Sequence, residues 1–526
     1  MTTPPSSNPE IRAALRDGFS ALASGNHDQA AKVGSQLAAR YPQEPSVWHL
    51  SGVAELSRSN IKQATTLLER ALALDPSDVA YHLDYARCCL AAGSRNDALS
   101  SLDRAARLGI ESTKLLNAIG VLYGMCEDQE KSAPFLERAV KIDPQPEYLY
   151  NLGAAQRMLG DIAGAEDSFS RVIATNPLNC RTHFLRSNLR KYTPEDHHTE
   201  ELEHLLKDGK VNWRGEVLLH YAAGKEYEDI GNYKASFAHV RAGAQIKRRN
   251  TQYTVDKDLQ VIDRVIEKLD RRGKPLGASS DEPIFIMGLP RSGTTLVERI
   301  VGNHSDVIAL GELSIFGLEL QDAIKKTTNK QLKQLDLIDR SLDVDFRRLG
   351  EVYLSKARLR NMKQRKFIDK MPMNYLYCGL IHATFPNSKM IVLRRNPMAS
   401  CYAMFKMNFE GAYPFSYDLE DLGKYYIAFH RLIEHWKRVL GDEIYEIQYE
   451  DLIANQESQT RRLIDFCGLD WEDACLDFHE NNAASSTASA LQVRQPIYNS
   501  SVDLWRNFED ELQPLADILR RGGIEF

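Results

Sequence analysis

The chain has 526 residues, of which 43% are hydrophobic and 26% are charged, values that exclude a wholly disordered or collagen-like protein. This length exceeds what one hydrophobic core usually organises, so we expect at least two domains. The 66 basic and 72 acidic residues give a net charge of −6. That balance does not indicate a nucleic-acid partner, and no run of 18 apolar residues predicts a membrane span.

The first residues and the cysteines suggest a cytoplasmic protein. Residues 1–8 contain no basic segment followed by an apolar one, and we expect them to be a short disordered lead. The eight cysteines are dispersed and form no paired CxxC motif. This pattern is typical of reduced, buried cysteines in the cytoplasm.

The amino-terminal part repeats with a period of about 34 residues. Proline ends a helical segment at four positions in this phase: Pro42, Pro76, Pro144 and Pro177. Small residues mark the second helix of each unit: Ala30, Ala64, Ala98, Ser132 and Ala165. A helix–turn–helix unit of this length, with small residues at close crossings, resembles the tetratricopeptide repeat. About five units are expected in residues 9–180, forming an all-α solenoid.

A helical extension is expected over residues 181–270, with a diverged repeat near 213–248. Gly231, Asn232 and Ala235 reproduce the turn and the small residue of the earlier units. Stacked repeats expose a concave surface that suits an extended polypeptide, so the solenoid is interpreted as a binding platform. The alternative is a scaffold that only packs against another domain or subunit.

A linker rich in Gly, Pro and Ser is expected at residues 271–282, and the pattern changes after it. Five short apolar runs alternate with helical stretches, which predicts an α/β domain with a largely parallel sheet over residues 283–526. The runs are PIFIMG, VIAL, KFID, SKMIVL and IYEIQY. We expect this domain to bind its ligand without residues 1–270.

The sequence GLPRSGTT follows the first predicted strand at residues 288–295, which we call the phosphate loop. A strand–loop–helix junction presents backbone N–H groups to phosphate oxygens. Thr294 stands where nucleoside-triphosphate enzymes have a lysine, which argues against triphosphate chemistry, and Arg291 supplies a cation instead. The expected ligand-binding residues are Pro290, Arg291, Ser292, Gly293, Thr294 and Thr295. A simple strand–helix connector is the alternative.

The segment PIFIMGLPRSGTTLVERIVGNHSDVIALGE resembles the 5′-phosphosulfate-binding region of sulfotransferases, enzymes that use 3′-phosphoadenosine-5′-phosphosulfate (PAPS). It is most similar to tyrosylprotein sulfotransferases and to their bacterial relatives fused to tetratricopeptide repeats. The resemblance implies a P-loop-like sulfotransferase domain that uses PAPS without a metal ion. It also implies a protein or peptide tyrosine as acceptor, which the repeats would recruit.

The resemblance assigns further residues to the donor site. Arg395, at the end of the run KMIVLRR, is expected to bind the 3′-phosphate of the donor. The family's serine falls at Ala403, and Ser400 is the candidate replacement. Tyr449 is expected near the nucleotide. Gln492 and Arg494 lie in the predicted closing segment, where the family's lysine is replaced by Gln495.

Three residues are expected to act in catalysis. Lys370, in KFIDKMP, matches the lysine that stabilises charge on the leaving oxygen. A phenol of pKa about 10 must lose its proton during transfer, and Glu312, in ALGE, matches the general base. Arg291 completes the set. The alternatives are a surface lysine for Lys370 and a helix-start carboxylate for Glu312, and His304 is expected to shape its loop.

Other functions remain compatible with the sequence. The acceptor could be a carbohydrate, a lipid or a small phenol instead of a polypeptide. The chain could also be an interaction protein whose α/β domain is inactive. For Arg394 and Arg395, the alternative is a solvated pair that forms surface ion pairs at the end of a strand. A kinase is disfavoured because the loop lysine is missing. The oligomeric state is left open.

Overall fold

The computed structural model describes residues 8–269, 277–327, 332–358, 362–480 and 501–526. Residues 1–7 of the predicted lead and residues 271–276 of the predicted linker fall outside these ranges. The chain divides into two compact units, residues 1–175 and residues 176–526.

The described part of the first unit consists of ten helices in five consecutive pairs. Their bounds are α1 Pro9–Ala23, α2 His27–Arg40, α3 Pro45–Ser57, α4 Ile61–Leu74, α5 Val79–Ala91, α6 Arg95–Ala106, α7 Thr113–Met125, α8 Gln129–Ile142, α9 Pro146–Leu159 and α10 Ile162–Thr175. This is the solenoid that the 34-residue period predicts.

The same close helix crossing recurs in each pair. The small residues at the fourth position of the second helices are buried: Ala30, Ala64, Ala98, Ser132 and Ala165. A Cβ atom added to Gly52 on α3 would lie 2.6 Å from Leu68 Cγ on α4, so only glycine fits that crossing. The burial of all five small residues agrees with their predicted place at close helix crossings.

The second unit begins with helices and continues into an α/β domain. Its first helices are α11 Cys180–Ser187, α12 Thr199–Asp208, α13 Trp213–Asp229, α14 Tyr233–Arg249 and α15 Val255–Lys268. The strands are β1 Pro283–Gly288, β2 Val307–Ala309, β3 Lys366–Asp369, β4 Lys389–Arg394 and β5 Ile444–Gln448. The remaining helices are α16 Thr294–Gly302, α17 Ile315–Lys326, α18 Gln334–Asp339, α19 Phe346–Arg358, α20 Cys378–Thr384, α21 Pro397–Phe405, α22 Leu419–Leu440, α23 Tyr449–Ala454, α24 Gln456–Phe466 and α25 Glu509–Arg521.

The five described strands form one parallel sheet in the order β2-β3-β1-β4-β5, as the apolar runs predict. Side chains alternate between its two faces. Phe285 and Val392 join one core with α13–α15 and α19–α22, whereas Ile286 and Ile391 join a second core with α16 and α24. Burial on both faces explains why the strands are almost continuously apolar.

Helices α13 and α14 form a helix pair in the segment 213–248, where a diverged repeat is predicted. Ser236 Oγ donates to Gly224 O at 2.7 Å, and Ser132 makes the same bond to Gly120 O in the first unit. The buried crossing residue is thus Ser236, one position after the predicted Ala235, because Ser236 is the fourth residue of α14, which begins at Tyr233.

The helices before the predicted linker share the core of the sheet. Tyr221, Phe237 and Val265 are buried in the same apolar cluster as Phe285. A cut at residue 270 would therefore expose this core, and the expectation that the α/β domain functions without residues 1–270 is not supported by the packing.

Candidate active site

The register of the sheet brings three segments together at its carboxyl edge. Gly288 pairs with Leu393, and Arg394 pairs with Gln448, so the phosphate loop, Arg395 and Tyr449 follow neighbouring strand ends. Connections leave β1 and β4 in opposite directions along the sheet. Parallel sheets bind ligands at such a switch point.

The phosphate loop is a tight turn that ends at the start of α16. Ser292 N–H donates to Leu289 O at 3.2 Å, and Arg291 adopts a left-handed φ of 65°. A Cβ atom on Gly293 would lie 2.6 Å from the Tyr449 ring. The loop backbone is therefore fixed closely against β4 and Tyr449, with Thr294 and Thr295 in the first turn of the helix.

The two arginines after β4 have different surroundings. Arg394 lies 3.5 Å from Glu434 and 3.7 Å from Glu446, and one of its nitrogens is 2.6 Å from His430 Nδ1. Arg395 instead donates through Nη1 to Arg291 O at 3.1 Å. The ion-pair interpretation therefore fits Arg394, whereas Arg395 lies against the phosphate loop.

Tyr449 and the segment at residue 501 pack around Arg395. The Arg395 guanidinium lies 4.8 Å from the centre of the Tyr449 ring and also donates to Ser501 O. The Tyr449 hydroxyl is 3.2 Å from Ser501 Oγ. Ser400 is buried in the first turn of α21, five residues after Arg395. Gln492 and Arg494 lie outside the described residues.

The segments that follow β2 and β3 lie side by side, which brings Glu312 to Lys370. Lys370 N–H donates to Gly311 O at 3.0 Å, and Lys370 Nζ lies 2.7 Å from Glu312 Oε1. The Lys370 side chain is 1% exposed, whereas that of Glu312 is 45% exposed. Lys370 is therefore not a surface lysine. Helix α17 begins at Ile315 with Ser314 as its capping residue, and Glu312 lies two residues before that cap. Glu312 is therefore not a helix-start carboxylate.

A second carboxylate, which the sequence did not predict, lies beside Lys370. Glu298, on α16, lies 3.7 Å from Lys370 Nζ and is almost fully buried, which raises its pKa. Its signal in the sequence is a lone acid in the apolar helical run LVERIV, one turn after the phosphate loop. Two carboxylates thus offset the buried charge of Lys370.

The residue before Lys370 is also a buried acid. Burial raises the pKa of Asp369 to about 7, and the hydrogen bond that it accepts from the Tyr353 hydroxyl at 2.7 Å opposes that rise. His304 lies in the loop after α16, where its Nε2 contacts Asp470 O at 2.8 Å and its Nδ1 accepts from Asp306 N–H. Both ring nitrogens hold the loop, as predicted for His304.

Other features of the described residues bear on ligand class and environment. In these ranges no group of three His, Cys, Asp or Glu side chains could hold a metal ion. None of the helices within them is long and apolar enough to cross a membrane. All eight cysteines are described, buried and free of disulfides, in agreement with the sequence prediction.

Models of known protein families match both the α/β domain and the repeats. Residues 283–473 match the model of the sulfotransferase family, and residues 55–108 and 113–146 match tetratricopeptide-repeat models. The α/β domain is thus of the sulfotransferase class. The chain thus joins a domain of the sulfotransferase family to tetratricopeptide repeats, as the resemblance seen in the sequence predicts.

Individual relatives and solved structures match parts of the chain. An uncharacterized protein of Aquifex aeolicus is 31% identical over 69% of this chain, which spans 49% of that protein's length. Protein-tyrosine sulfotransferase A of Caenorhabditis elegans is 23% identical, over 46% of this chain and 67% of its own length. The sulfotransferase domain of the Synechococcus PCC 7002 olefin synthase aligns with 19% identity and a TM-score of 0.34, covering 49% of this chain and 98% of that domain.

Proposed function

We propose that the protein transfers the sulfonate group of PAPS to the hydroxyl group of a tyrosine in a protein or peptide. The observation that carries this proposal is the position of Arg395 against the phosphate loop, with its Nη1 3.1 Å from Arg291 O. A cation beside a phosphate-binding turn suits a nucleotide with phosphate groups at two separate positions, such as the 5′ and 3′ groups of PAPS.

The phosphate loop suits the 5′ end of this donor. Ser292 Oγ is buried and has no hydrogen-bond partner among the described residues, so the loop offers a hydroxyl to a ligand oxygen. Pro290, Arg291, Gly293, Thr294 and Thr295 complete the proposed contacts. Ser400, Tyr449, Gln492 and Arg494 are proposed to hold the nucleotide part.

Three side chains divide the chemistry between acceptor and donor. Glu312, with its exposed carboxylate, accepts the proton of the attacking hydroxyl as the new O–S bond forms. Lys370, held in a fixed position by Glu312 and Glu298, stabilises the negative charge on the oxygen that leaves. Arg291 adds positive charge at the phosphosulfate end. None of these roles requires a metal ion.

The repeats are proposed to bind the polypeptide that carries the acceptor. Tetratricopeptide stacks offer an extended surface, and relatives of the α/β domain bear the name protein-tyrosine sulfotransferase. We also propose a cytoplasmic location, which eight free, buried cysteines favour.

Binding of the product nucleotide tests the donor directly. Calorimetry should show that 3′-phosphoadenosine-5′-phosphate (PAP) binds far more tightly than ADP, because a charge-assisted bond to the 3′-phosphate contributes about 1.5–3 kcal/mol. Arg395→Gln should remove most of this preference. Arg394→Gln is the matched control, since Arg394 contacts Glu434 and Glu446 instead. Equal affinities for PAP and ADP would contradict the donor assignment.

Transfer itself is tested by incubating the protein with labelled PAPS and a library of tyrosine-containing peptides. Mass spectrometry should locate the label on a tyrosine oxygen. Label found only on carbohydrate, lipid or small phenol would keep the sulfotransferase and reject the polypeptide acceptor.

A further inference from the structure

Lys370 is enclosed between two carboxylates that differ in their surroundings. Its Nζ lies 2.7 Å from Glu312 Oε1 and 3.7 Å from Glu298 Oε2. The side chains of Lys370 and Glu298 are buried, whereas that of Glu312 is half exposed. One carboxylate partner of the ammonium group therefore borders the solvent, and the other lies in the protein interior.

The backbones that carry Lys370 and Glu312 are fixed to each other. Leu310 N–H donates to Ile368 O at 3.1 Å, and Lys370 N–H donates to Gly311 O at 3.0 Å. These two bonds continue the parallel pairing of β2 and β3 up to the residue before Glu312. The contact between the two charged groups therefore changes by rotation of the side chains, and the exposed side of Glu312 gives it room to rotate.

Glu298 is held in place by the helix that follows the phosphate loop. Residues 294–301 of α16 are all buried, and Glu298 lies one turn after Thr294 on the same side of the helix. Burial raises the pKa of Glu298, and the positive charges of Lys370 and Arg299 oppose that rise. Glu298 is thus a packed carboxylate that faces Lys370 from the helix next to the phosphate loop.

The proposed transfer moves one negative charge around the Lys370 ammonium group. The phenolic oxygen of the acceptor bonds to sulfur, and its proton passes to Glu312. The bond from sulfur to the bridging oxygen of the donor breaks, and the bridging oxygen keeps the electron pair. Glu312 therefore loses its charge as the leaving oxygen gains one. Lys370 exchanges one anionic partner for another, and Glu298 is the carboxylate whose charge does not change.

We infer that Glu298 is a positioning residue that holds the Lys370 ammonium group while its contact passes from Glu312 to the leaving oxygen. Without the charge of Glu298, Lys370 would keep only Glu312 of these two carboxylates and would hold it in its ionised form. A charge-assisted bond of this kind opposes both proton uptake by Glu312 and the movement of Lys370 to the leaving oxygen. This inference rests on the proposed sulfotransferase function, and it adds a residue that acts through Lys370.

Three single variants of the full chain test this role. Glu298→Gln keeps the size of the side chain and removes its charge, and Glu298→Asp keeps the charge on a shorter side chain. Glu319→Gln is the matched control. Glu319, on α17, is also a mostly buried glutamate paired with a lysine, because its Oε1 lies 2.5 Å from Lys356 Nζ.

The variants should differ in kcat and not in binding. For Glu298→Gln we expect kcat to fall about tenfold with a tyrosine peptide, and still about threefold with 4-nitrophenol, which needs no base but does need Lys370. Glu298→Asp should lose about threefold with the peptide, and Glu319→Gln should stay within about twofold of wild type. KM for both acceptors should stay within about twofold in all three variants, and PAP affinity should not fall.

A double variant shows whether Glu298 acts through Lys370. Lys370→Met leaves the buried charge of Glu298 without its lysine, so adding Glu298→Gln to Lys370→Met should raise the melting temperature by about 3 °C. Adding Glu319→Gln to Lys370→Met should not raise it. The kcat of Lys370→Met should change less than about twofold when Glu298→Gln is added, because the effects of directly coupled residues do not multiply.

The outcomes separate this inference from the function on which it rests. A wild-type kcat in Glu298→Gln would overturn the inference and leave the function intact. A tenfold loss that persists in the Lys370→Met background, or a fall in PAP affinity as large as the fall in kcat, would also overturn it, since either indicates a general structural effect. Absence of PAP binding by the wild type would refute the function itself, and the inference with it.

Two measurements decide the matter where a variant fails. If Glu298→Gln does not fold, an unchanged kcat in Glu298→Asp overturns the inference, and the expected threefold loss supports it. If Lys370→Met is inactive, the melting temperatures of Lys370→Met and of the double variant decide: a rise supports the pairing of Glu298 with Lys370, and no rise overturns it.

Discussion

At the scale of single residues, the central feature is a buried lysine between two carboxylates of different exposure. Lys370 Nζ is 2.7 Å from the half-exposed Glu312 and 3.7 Å from the buried Glu298. Removing one partner of a buried charge usually costs more than the pair contributes, because the other charge is left uncompensated. The two carboxylates are therefore not equivalent: Glu298 can compensate Lys370 when Glu312 takes up a proton.

Substitutions of Glu312 and Lys370 should reduce activity in different ways. Glu312→Gln keeps the shape but removes the base, so kcat with a tyrosine peptide should fall about 10²–10⁴-fold. This loss should shrink with 4-nitrophenol, which ionises near neutral pH. Lys370→Met should lose activity equally with both acceptors, since it acts on the leaving oxygen. Steady-state kinetics with the two acceptors checks the prediction, and equal losses for both variants on both acceptors would contradict it.

The buried Asp369 should make stability depend on pH. Its pKa is raised by burial to about 7, so its contribution to stability is present at low pH and is lost as pH rises from about 4 through 7. Asp369→Asn keeps an acceptor for the Tyr353 hydroxyl and cannot ionise. The melting temperature of this variant relative to wild type should therefore increase between pH 5 and pH 8.

Thermal unfolding at several pH values measures this difference. Asp477→Asn, at an exposed position, is the control, and the difference between its melting temperature and that of the wild type should not change with pH. An offset for Asp369→Asn that does not change with pH would show that the Asp369 carboxyl is ionised over the whole range.

At the scale of elements, α21 connects the proposed donor site to the helical extension. Arg395 lies just before this helix, and Glu228 of α13 accepts from the Tyr402 hydroxyl at 2.7 Å and pairs with Lys406 at 2.6 Å. Tyr221 also donates to Phe405 O at 3.3 Å. The extension therefore fixes the carboxyl end of α21, and with it the direction of the helix that follows Arg395.

Glu228→Gln should weaken the connection between α13 and α21 without changing a residue of the proposed donor site. The variant loses one ion pair, and we expect PAP affinity to fall about fivefold, equivalent to about 1 kcal/mol, together with a lower melting temperature. Calorimetry with PAP measures the effect. Glu200→Gln, exposed on α12, is the control. Unchanged PAP affinity in Glu228→Gln would mean that α21 is held well enough by its apolar contacts.

The sequence predicts the strands, the solenoid and the motif residues better than it predicts the residues that hold the motif residues in place. Continuous apolar runs identify all five described strands, and a 34-residue period identifies the solenoid, because both depend on local patterns. Lys370 and Glu312 come from a family motif. Glu298 and Glu228 are missed because their roles depend on contacts across 72 and 174 residues of sequence, to Lys370 and Tyr402. A single sequence carries no local signal for such contacts.

At the scale of the whole molecule, the division into compact units does not follow the change in sequence pattern. The pattern changes near residue 271, but the second unit already begins at residue 176. Its helices α13–α15 bury Tyr221, Phe237 and Val265 in the core of the sheet. A repeat-like helix pair is thus part of the α/β unit, whereas the first unit consists of five stacked pairs.

Two truncations should therefore behave differently. Removal of residues 1–175 leaves the second unit whole, and this protein should fold and bind PAP within about twofold of the full chain. Removal of residues 1–270 strips α13–α15 from their shared core, and that protein should be insoluble or unfold at a much lower temperature.

If the repeats recruit the acceptor, the 1–175 truncation should also raise KM for a polypeptide while leaving KM for 4-nitrophenol unchanged. Circular dichroism, PAP calorimetry and the two KM values measure these effects; an unchanged polypeptide KM in the folded truncation would show that the repeats do not recruit the acceptor.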